Sequence, residues 1–359
     1  MARRLAIVLF NLGGPDTTEA IQPFLKNLFS DPAIIRAPAP VRWLVARLIS
    51  KTRTPAVTEN YALMNQPGGG SPLLPETELQ ARALEAALEN RLGDTEVRCF
   101  IAMRYWHPFT EEAVAEVTAW SPDEVVLLPL YPQYSSTTTG SSLTEWNKHY
   151  TGPARTLCCY QRNEDLIAAH AEKILEAWQE AGEPENVRLL MSAHGLPESV
   201  VKAGDPYQWQ VEDMAARLVP LLPESWETQV CYQSRVGPMK WIGPATEEEV
   251  VRAAEDGKHV IVAPIAFVSD HIETLVELGV EYRDLAVEKD VVGYTNVPAL
   301  GTHPRFIKGL ADEVMGLLSV QPGIRSCEGG RVCPKGFGDC PNKAMWAEDD
   351  NENSVKAAV

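Results

Sequence analysis

The residues best suited to acid–base or metal chemistry lie in the second half of the chain. His194 lies just past one apolar run, and Asp270, His271 and Glu273 lie just past another. The carboxyl ends of parallel strands meet at one edge of a sheet, where ligands bind. An imidazole and carboxylates at that edge could bind a divalent metal, accept protons, or do both. We therefore take these four residues as candidate catalytic groups.

Each of these residues also has a structural interpretation. A lone histidine such as His194 is often a satisfied structural residue, although its place on a loop favours function. Asp270 and Glu273 are three residues apart, which is an N-terminal capping pattern for the helix that follows. Capping alone does not explain why His271 lies between the two acids. Both interpretations stay open at this point.

The seven cysteines suggest a second centre. Cys327, Cys333 and Cys340 fall in a segment rich in glycine and proline, which can wrap a metal centre. A fourth ligand is needed, and the adjacent Cys158 and Cys159 offer two candidates. The spacing favours an iron–sulfur cluster, with zinc, a disulfide or free thiols as alternatives. The other two cysteines lie in predicted strands and are expected to be core residues.

Aromatic and hydroxyl residues are frequent in the loops that follow other predicted strands. Together they could line a large, flat, apolar pocket, although some must be ordinary core residues. The pocket candidates are Tyr61, Arg104, Tyr105, Tyr131, Trp241 and Phe267. Neither a GxGxxG nor a Walker A sequence occurs, so a dinucleotide or nucleoside triphosphate is not the expected ligand.

Strands that alternate with helices must position these groups. The predicted strands cover residues 5–10, 97–103, 125–130, 155–159, 187–191, 229–232, 259–265 and 291–294. This alternation predicts an α/β protein with two similar doubly wound, Rossmann-like domains, each with a four-stranded parallel sheet. We expect an N-terminal domain over 1–160, a second domain with His194 and Glu273 over 161–305, and a cysteine-bearing C-terminal extension with an acidic tail over 306–359.

Charge excludes one large class of function. Lys and Arg number 32 against 49 Asp and Glu, giving a formal net charge of −17. A chain this acidic is repelled by phosphate backbones, so nucleic acid is not an expected partner. The odd cysteine count does not fit a secreted disulfide framework, and no stretch approaches the ~20 apolar residues that span a bilayer. We expect a cytoplasmic protein.

One segment runs against the overall charge. There is no acid between Asp31 and Glu59, and a helix over 41–51 places Trp43 and Leu48 beside the basic Arg47. This pattern indicates either an ordinary surface helix or an exposed lip. Such a lip would touch anionic lipid or bind an acidic, apolar ligand.

Several longer motifs occur in a fixed order along nearly the whole chain. They are Asn11 to Pro15, Gly69 to Leu73, Met103 to Tyr105, Tyr131 to Ser135, Ser192 to Pro197, Gly204 to Tyr207, Gln233 to Pro238 and Phe267 to Glu273, with Tyr282 after them. In this set the chain resembles the ferrochelatase family, and within it the bacterial members that contain an iron–sulfur cluster. The resemblance implies a chelatase-type fold.

The resemblance also implies an activity and its residues. Such a lyase inserts ferrous iron into protoporphyrin IX, giving protohaem and two protons in the last step of haem biosynthesis. His194 and Glu273 would bind iron and take up the pyrrole protons. Arg53 and Ser71 match positions near the porphyrin propionates. The positions lining the porphyrin cleft are matched by Leu12, Tyr61, Arg104, Tyr105, Tyr131, Trp241 and Phe267.

The remaining implications concern the cluster and the surroundings of the protein. A 2Fe-2S cluster would be held by Cys327, Cys333, Cys340 and a fourth cysteine. Eukaryotic members carry that cysteine at the position of Ser136, so here Cys158 or Cys159 must serve. The protein would contact the inner membrane surface transiently, as a peripheral protein, and be a monomer or homodimer. The alternative is a non-catalytic porphyrin- or haem-binding protein on the same fold, which needs no base.

Overall fold

A computed structural model describes residues 2–235, 237 and 239–342 of the chain. The acidic tail from residue 347 onwards lies outside the described residues, as do Val236 and Pro238 of the motif that starts at Gln233.

The described residues form two parallel sheets. The strands are β1 (Arg4–Asn11), β2 (Glu96–Met103), β3 (Glu124–Pro129), β4 (Arg155–Cys159), β5 (Val187–His194), β6 (Glu227–Gln233), β7 (His259–Pro264), β8 (Gly293–Asn296) and β9 (Gly323–Ser326). The first sheet has the order β2-β1-β3-β4-β9, and the second has the order β6-β5-β7-β8. The predicted class, an α/β protein with two parallel-sheet units, is confirmed.

The first sheet has one strand more than the four predicted. The fifth strand, β9, comes from the C-terminal extension and pairs in parallel with β4, Thr156 lying opposite Ile324. It has four residues and begins with Gly323, so its sequence carries little strand signal. The extension is therefore part of the first sheet, and it brings the cysteine segment next to Cys158 and Cys159.

Helices cover both faces of the two sheets. They are α1 (Ile21–Ser30), α2 (Ala39–Leu63), α3 (Leu73–Leu92), α4 (Thr110–Trp120), α5 (Thr139–His149), α6 (Glu164–Glu180), α7 (Glu198–Lys202), α8 (Tyr207–Leu218), α9 (Thr246–Glu255), a π-helix (Glu273–Glu281), α10 (Tyr282–Glu288) and α11 (Pro304–Leu318). Among the described residues, none of these helices is long and apolar enough to cross a membrane.

A single apolar core joins the two sheets. It runs from Leu9 of β1 through Ile174 of α6 and Leu310 of α11 to Leu189 of β5. Separate clusters cover the outer face of each sheet, with α4 and α5 on the first and α9 and α10 on the second. Because both faces are covered, the strands are continuous apolar runs rather than alternating ones; residues 5–10 of β1 are all at most 1% exposed.

An ionisable group inside this helix layer gives a testable pH dependence. Burial raises the pKa of Glu313 on α11 to about 7, and Asp312 adds to the rise, while a hydrogen bond from Asn163 opposes it. The folded protein then keeps a proton that the unfolded chain has lost, so stability falls as pH rises from about 4.5 to about 7.

We expect Glu313→Gln, which keeps the acceptor for Asn163, to raise the thermal unfolding temperature at pH 8. At pH 4.5 the gain should nearly vanish, because the carboxyl group is then largely neutral. The difference between the gain at pH 8 and the gain at pH 4.5 corresponds to about 2–4 kcal/mol of unfolding free energy. Glu180→Gln, at an exposed position of α6, is the control and should show no such difference. An equal gain at both pH values would contradict the prediction.

Candidate active site

His194 is the last residue of β5, at the carboxyl edge of the second sheet. Its Nδ1 lies 2.7 Å from the carbonyl oxygen of Gly195. A carbonyl oxygen only accepts, so Nδ1 carries the hydrogen, and Nε2 of the neutral imidazole is left as the acceptor. The side chain is half-buried. The structure thus presents one basic ring nitrogen at the sheet edge where ligands bind.

The loop after His194 is held closely by its neighbours. A Cβ on Gly195 would lie 2.9 Å from the carbonyl oxygen of Gln233 and 3.3 Å from the indole ring of Trp241. Only glycine therefore fits without a shift. The buried Tyr207 side chain also lies near the backbone of His194. These contacts fix the direction of the imidazole and place Trp241 beside it.

Glu273 begins the π-helix that follows β7. Its Oε2 lies 3.1 Å from Nε2 of His271, but the two groups are not aligned as a hydrogen bond. Among the described residues no donor is aligned with this buried oxygen. The His271 ring is held by the carbonyl oxygen of Ser269 at 2.9 Å and by the ring of Phe267, with centroids 4.7 Å apart. Glu273 thus has an oxygen free to accept a proton or a cation.

Asp270 does not act as the predicted helix cap. Its Oδ1 accepts from the Thr274 hydroxyl at 2.8 Å and from the Ala299 backbone at 3.2 Å. The position before the π-helix is Ile272, which makes no side-chain cap. The spacing of the two acids is therefore not explained by capping, because one anchors the loop and the other, Glu273, contacts His271.

Gln233 connects the two candidate catalytic strands. It lies opposite His194 in the β5–β6 pair, and its Nε2 donates to the Glu273 carbonyl oxygen at 3.3 Å. The same nitrogen donates to Glu277 at 3.0 Å, and Glu277 also accepts from Tyr282 at 2.8 Å. Gln233 and Glu277 carry no local pattern that assigns them a role. Gln233 begins the motif that runs to Pro238, and Glu277 lies one helical turn after Glu273, which is the signal that could have indicated them.

The first half of the chain forms the opposite wall. Leu12, Tyr61 and Tyr105 pack with Val276 and Leu275 of the π-helix in one apolar cluster. Burial raises the pKa of the Tyr61 hydroxyl, and the nearby charge of Glu273 raises it further. Tyr61 therefore lies near Glu273 as a neutral phenol, and the two halves of the chain meet in this apolar cluster.

Arg104 is less available than the sequence indicates. Its guanidinium is 2.8 Å from buried Asp31 and 3.4 Å from Glu145, and it lies over the ring of Tyr105. Asp31 also accepts from the Tyr105 hydroxyl at 2.9 Å. In the sequence Asp31 only bounds the acid-free segment, because a contact with Arg104 across 73 positions leaves no local pattern.

The other predicted substrate residues lie on separate segments of the first half of the chain. Tyr131 is half-buried, and burial raises the pKa of its hydroxyl. Ser71 packs against Gly14, where any Cβ would lie 2.5 Å from the serine. Arg53 is an exposed residue of α2. The structure thus brings His194, Trp241, Glu273 and Phe267 to the second sheet's edge and leaves Arg53 on the lip helix.

The predicted cysteine group is assembled from three parts of the chain. Cys327 follows β9, and its backbone N–H donates to the carbonyl oxygen of Cys159 at 3.0 Å. A hydrogen bond with Cys340 and burial raise the pKa of the Cys333 thiol. The pKa of the Cys159 thiol is raised as well, by the hydrogen bond with the Cys158 sulfur at 3.4 Å, by burial and by the nearby Cys340. Cys159 and Cys327 are 168 positions apart in the sequence, and the pairing of β4 with β9 brings them together.

The seven cysteines are all free thiols, so the disulfide alternative is not what the structure has. Within the described part of the chain, no three His, Cys, Asp or Glu side chains converge on one point as a single metal ion requires. A two-iron cluster instead divides its four thiolates between two irons. Four neighbouring, buried or half-buried thiols suit that donor set.

Comparison with known proteins gives consistent results. A family model described as Ferrochelatase matches residues 4–317. A protein named Ferrochelatase from Hyphomonas neptunium is 64% identical over 345 residues, 96% of each chain. One from Caulobacter vibrioides is 57% identical, over 95% of this chain and 98% of the other. Among solved structures, SirB from Bacillus subtilis with Fe3+ aligns with a TM-score of 0.48 at 12% identity, over 88% of this chain and 95% of that one.

Proposed function

This chain belongs to the ferrochelatase family, and from that premise we propose how its residues perform the reaction. The chain is a metal chelatase, a lyase that inserts ferrous iron into a porphyrin in haem synthesis. The finer proposal is that the porphyrin is protoporphyrin IX, held in the cleft between the two halves. Four iron–nitrogen bonds form, two pyrrole N–H bonds break, and two protons leave.

The observation that carries this mechanism is the pair of acceptors at the edge of the second sheet. His194 presents Nε2 because Nδ1 is committed to Gly195, and Glu273 has a buried oxygen that lacks an aligned donor. A base held next to the macrocycle can take the pyrrole protons as iron enters. We propose that His194 and Glu273 bind the substrate iron and accept these protons, with His271 orienting Glu273 and Asp270 anchoring the loop.

The walls of the cleft are proposed to hold the macrocycle. The proposed walls are Tyr61, Tyr105 and Leu12 from the first half of the chain and Trp241 and Phe267 from the second, and flat apolar side chains suit a flat apolar ring. Packing against such walls can bend the ring, which exposes its nitrogen lone pairs to iron. Arg53 and Ser71 are proposed to meet the propionates, since a guanidinium suits a carboxylate. Because Asp31 neutralises Arg104, we assign Arg104 and Tyr131 to shaping the cleft.

The direct test is metal insertion by the purified protein. Protoporphyrin IX with Zn²⁺, or with Fe²⁺ under reducing and anaerobic conditions, should be converted to the metalloporphyrin, followed by absorbance and fluorescence. Porphyrin binding without insertion would overturn the proposed chemistry and leave a carrier. Coproporphyrin, offered in parallel, tests the choice of porphyrin, and faster insertion into it would overturn that choice.

We also propose that the cysteine group holds a 2Fe-2S cluster. Cys327, Cys333 and Cys340 would be three ligands, and Cys159 rather than Cys158 would be the fourth. The support is that the Cys159 thiol interacts with each of the three others. When bound, such a cluster supplies a one-electron couple. Ser136 supplies no thiol and instead donates to Asp205 at 2.7 Å through its hydroxyl.

The lip helix α2 is proposed to meet the membrane that delivers the porphyrin. Trp43, Leu44 and Leu48 are 54–62% exposed, while Arg47 and Lys51 are exposed on the same helix. Apolar side chains with basic neighbours suit the surface of an anionic bilayer. Arg47 lies over the ring of Trp43, which keeps the two groups together.

We expect the double variant Leu44→Glu, Leu48→Glu to lose most of its binding to vesicles of anionic phospholipid. Two leucine side chains that would be buried in the bilayer are lost, and two negative charges that the anionic lipid repels are added. The amount of vesicle-bound protein should therefore fall about tenfold or more in a sedimentation assay. Val287→Glu, at a 73% exposed apolar residue on α10, is the matched control and should bind as before. Equal loss in both variants would contradict a specific role for the lip.

A further inference from the structure

Gln210 lies at the junction between the cysteine group and the catalytic half of the chain. It is on α8 and is fully buried. Its Oε1 accepts from the backbone N–H of Tyr134 at 2.7 Å, and its Nε2 donates to the Cys333 sulfur at 3.1 Å. Nothing in the proposed insertion chemistry uses this side chain. A buried amide placed between a loop and two thiols therefore needs its own explanation.

The amide of Gln210 donates to one cysteine sulfur, that of Cys333, at 3.1 Å. The buried Cys159 thiol lies near the same side chain. A donor that points at sulfur favours the negatively charged form. The two thiols are the proposed ligands from different parts of the chain.

The other end of the same amide is tied to the cleft. Tyr134 lies in the loop that follows β3, three residues after Tyr131. That loop has a second, independent attachment, because buried Asp205 accepts from the Ser135 hydroxyl at 2.9 Å and from the Ser136 backbone at 2.7 Å. Changing Gln210 therefore leaves the loop attached, so an effect on the cysteine group can be separated from loss of the fold.

We propose that Gln210 is a positioning residue that sets the reduction potential and the iron retention of the cysteine centre, through its N–H···S bond to Cys333. The inference rests on the proposed cluster. Hydrogen bonds to the sulfurs stabilise the more negative, reduced form and so raise the potential. The carbonyl oxygen of the same amide joins the centre to the Tyr134 loop.

The test uses the full-length protein purified with its iron. Gln210→Glu keeps an acceptor for Tyr134 but replaces the N–H donors, and Gln210→Leu removes both functions at similar size. Gln208→Glu is the matched control, since it adds the same charge two residues away, where Gln208 contacts Glu212 rather than a thiol. Redox titration followed by visible absorption and circular dichroism gives the midpoint potential, and chemical analysis gives iron per chain.

Both Gln210 variants should show a more negative midpoint than wild type, or lose iron, while Gln208→Glu should match wild type in both. Midpoints and iron contents of the Gln210 variants equal to wild type would overturn the inference while leaving the cluster in place. A colourless, iron-free wild type would overturn the proposed cluster and the inference with it. An equal shift in Gln208→Glu would also overturn it, because charge alone would then explain the result.

Discussion

Replacing His194 by alanine is expected to lower kcat/KM for iron insertion by about 10²–10⁴-fold, the contribution typical of a positioned base. The Nδ1 contact to Gly195 directs the ring and leaves Nε2 as its accepting nitrogen, and alanine removes this acceptor altogether. Porphyrin affinity should change little, because the apolar walls hold the macrocycle. The loss should therefore appear in kcat, while fluorescence titration gives a dissociation constant near that of wild type.

Glu273→Gln is expected to act in the same direction, because it removes the acceptor charge while keeping the volume of the side chain. If the two residues act as one unit, the double variant should lose little more than either single one. His259→Gln, at the opposite edge of the same sheet, and Glu288→Gln, at an exposed position of α10, are the matched controls and should retain activity. An active His194→Ala enzyme would refute the mechanism.

The second large effect is expected at the cysteines. Cys159→Ser should abolish the visible absorption of the cluster and bring iron per chain close to zero. Cys158→Ser should keep both. The reason is that the thiol of Cys159 interacts with those of Cys327, Cys333 and Cys340, and its carbonyl oxygen accepts from the Cys327 backbone.

The two variants control each other, because both residues are 1% exposed and both changes replace sulfur by oxygen at adjacent positions. Cys231→Ser, in β6 of the second sheet, adds a control for the loss of a buried thiol elsewhere. Iron retained in Cys159→Ser and lost in Cys158→Ser would reverse the assignment. Iron retained in both would mean that the fourth ligand lies elsewhere.

The sequence predicts those parts of the molecule that depend on local pattern. Continuous apolar runs such as 5–10 are recognisable because a strand covered on both faces has no polar alternation. Loops at the carboxyl ends of these strands then place His194 and Glu273 at one edge without any tertiary information. The absence of acids between residues 31 and 59 likewise indicates the basic helix with exposed apolar side chains that the structure has as α2.

What the sequence does not predict depends on long-range contact. Asp31 meets Arg104, and Gln210 meets Tyr134 and Cys333, across separations that no helical or strand period encodes. The π-helix is likewise not visible, since acids four residues apart, as in Glu273 and Glu277, also fit an α-helix. The proposed preference for Cys159 over Cys158 likewise depends on the position of the returning segment, whose Cys327 backbone N–H donates to the Cys159 carbonyl oxygen.

The pairing of β4 with β9 has a consequence for how the protein is made. On the ribosome, β4 emerges roughly 160 residues before its outer partner, which at the usual 5–20 residues per second is roughly 8–32 s. During that interval the nascent chain has an open strand edge next to two reduced thiols, the kind of edge that recruits other chains. Translation that stops before residue 323 leaves this edge permanently exposed. Completion of the chain is thus what protects the first sheet.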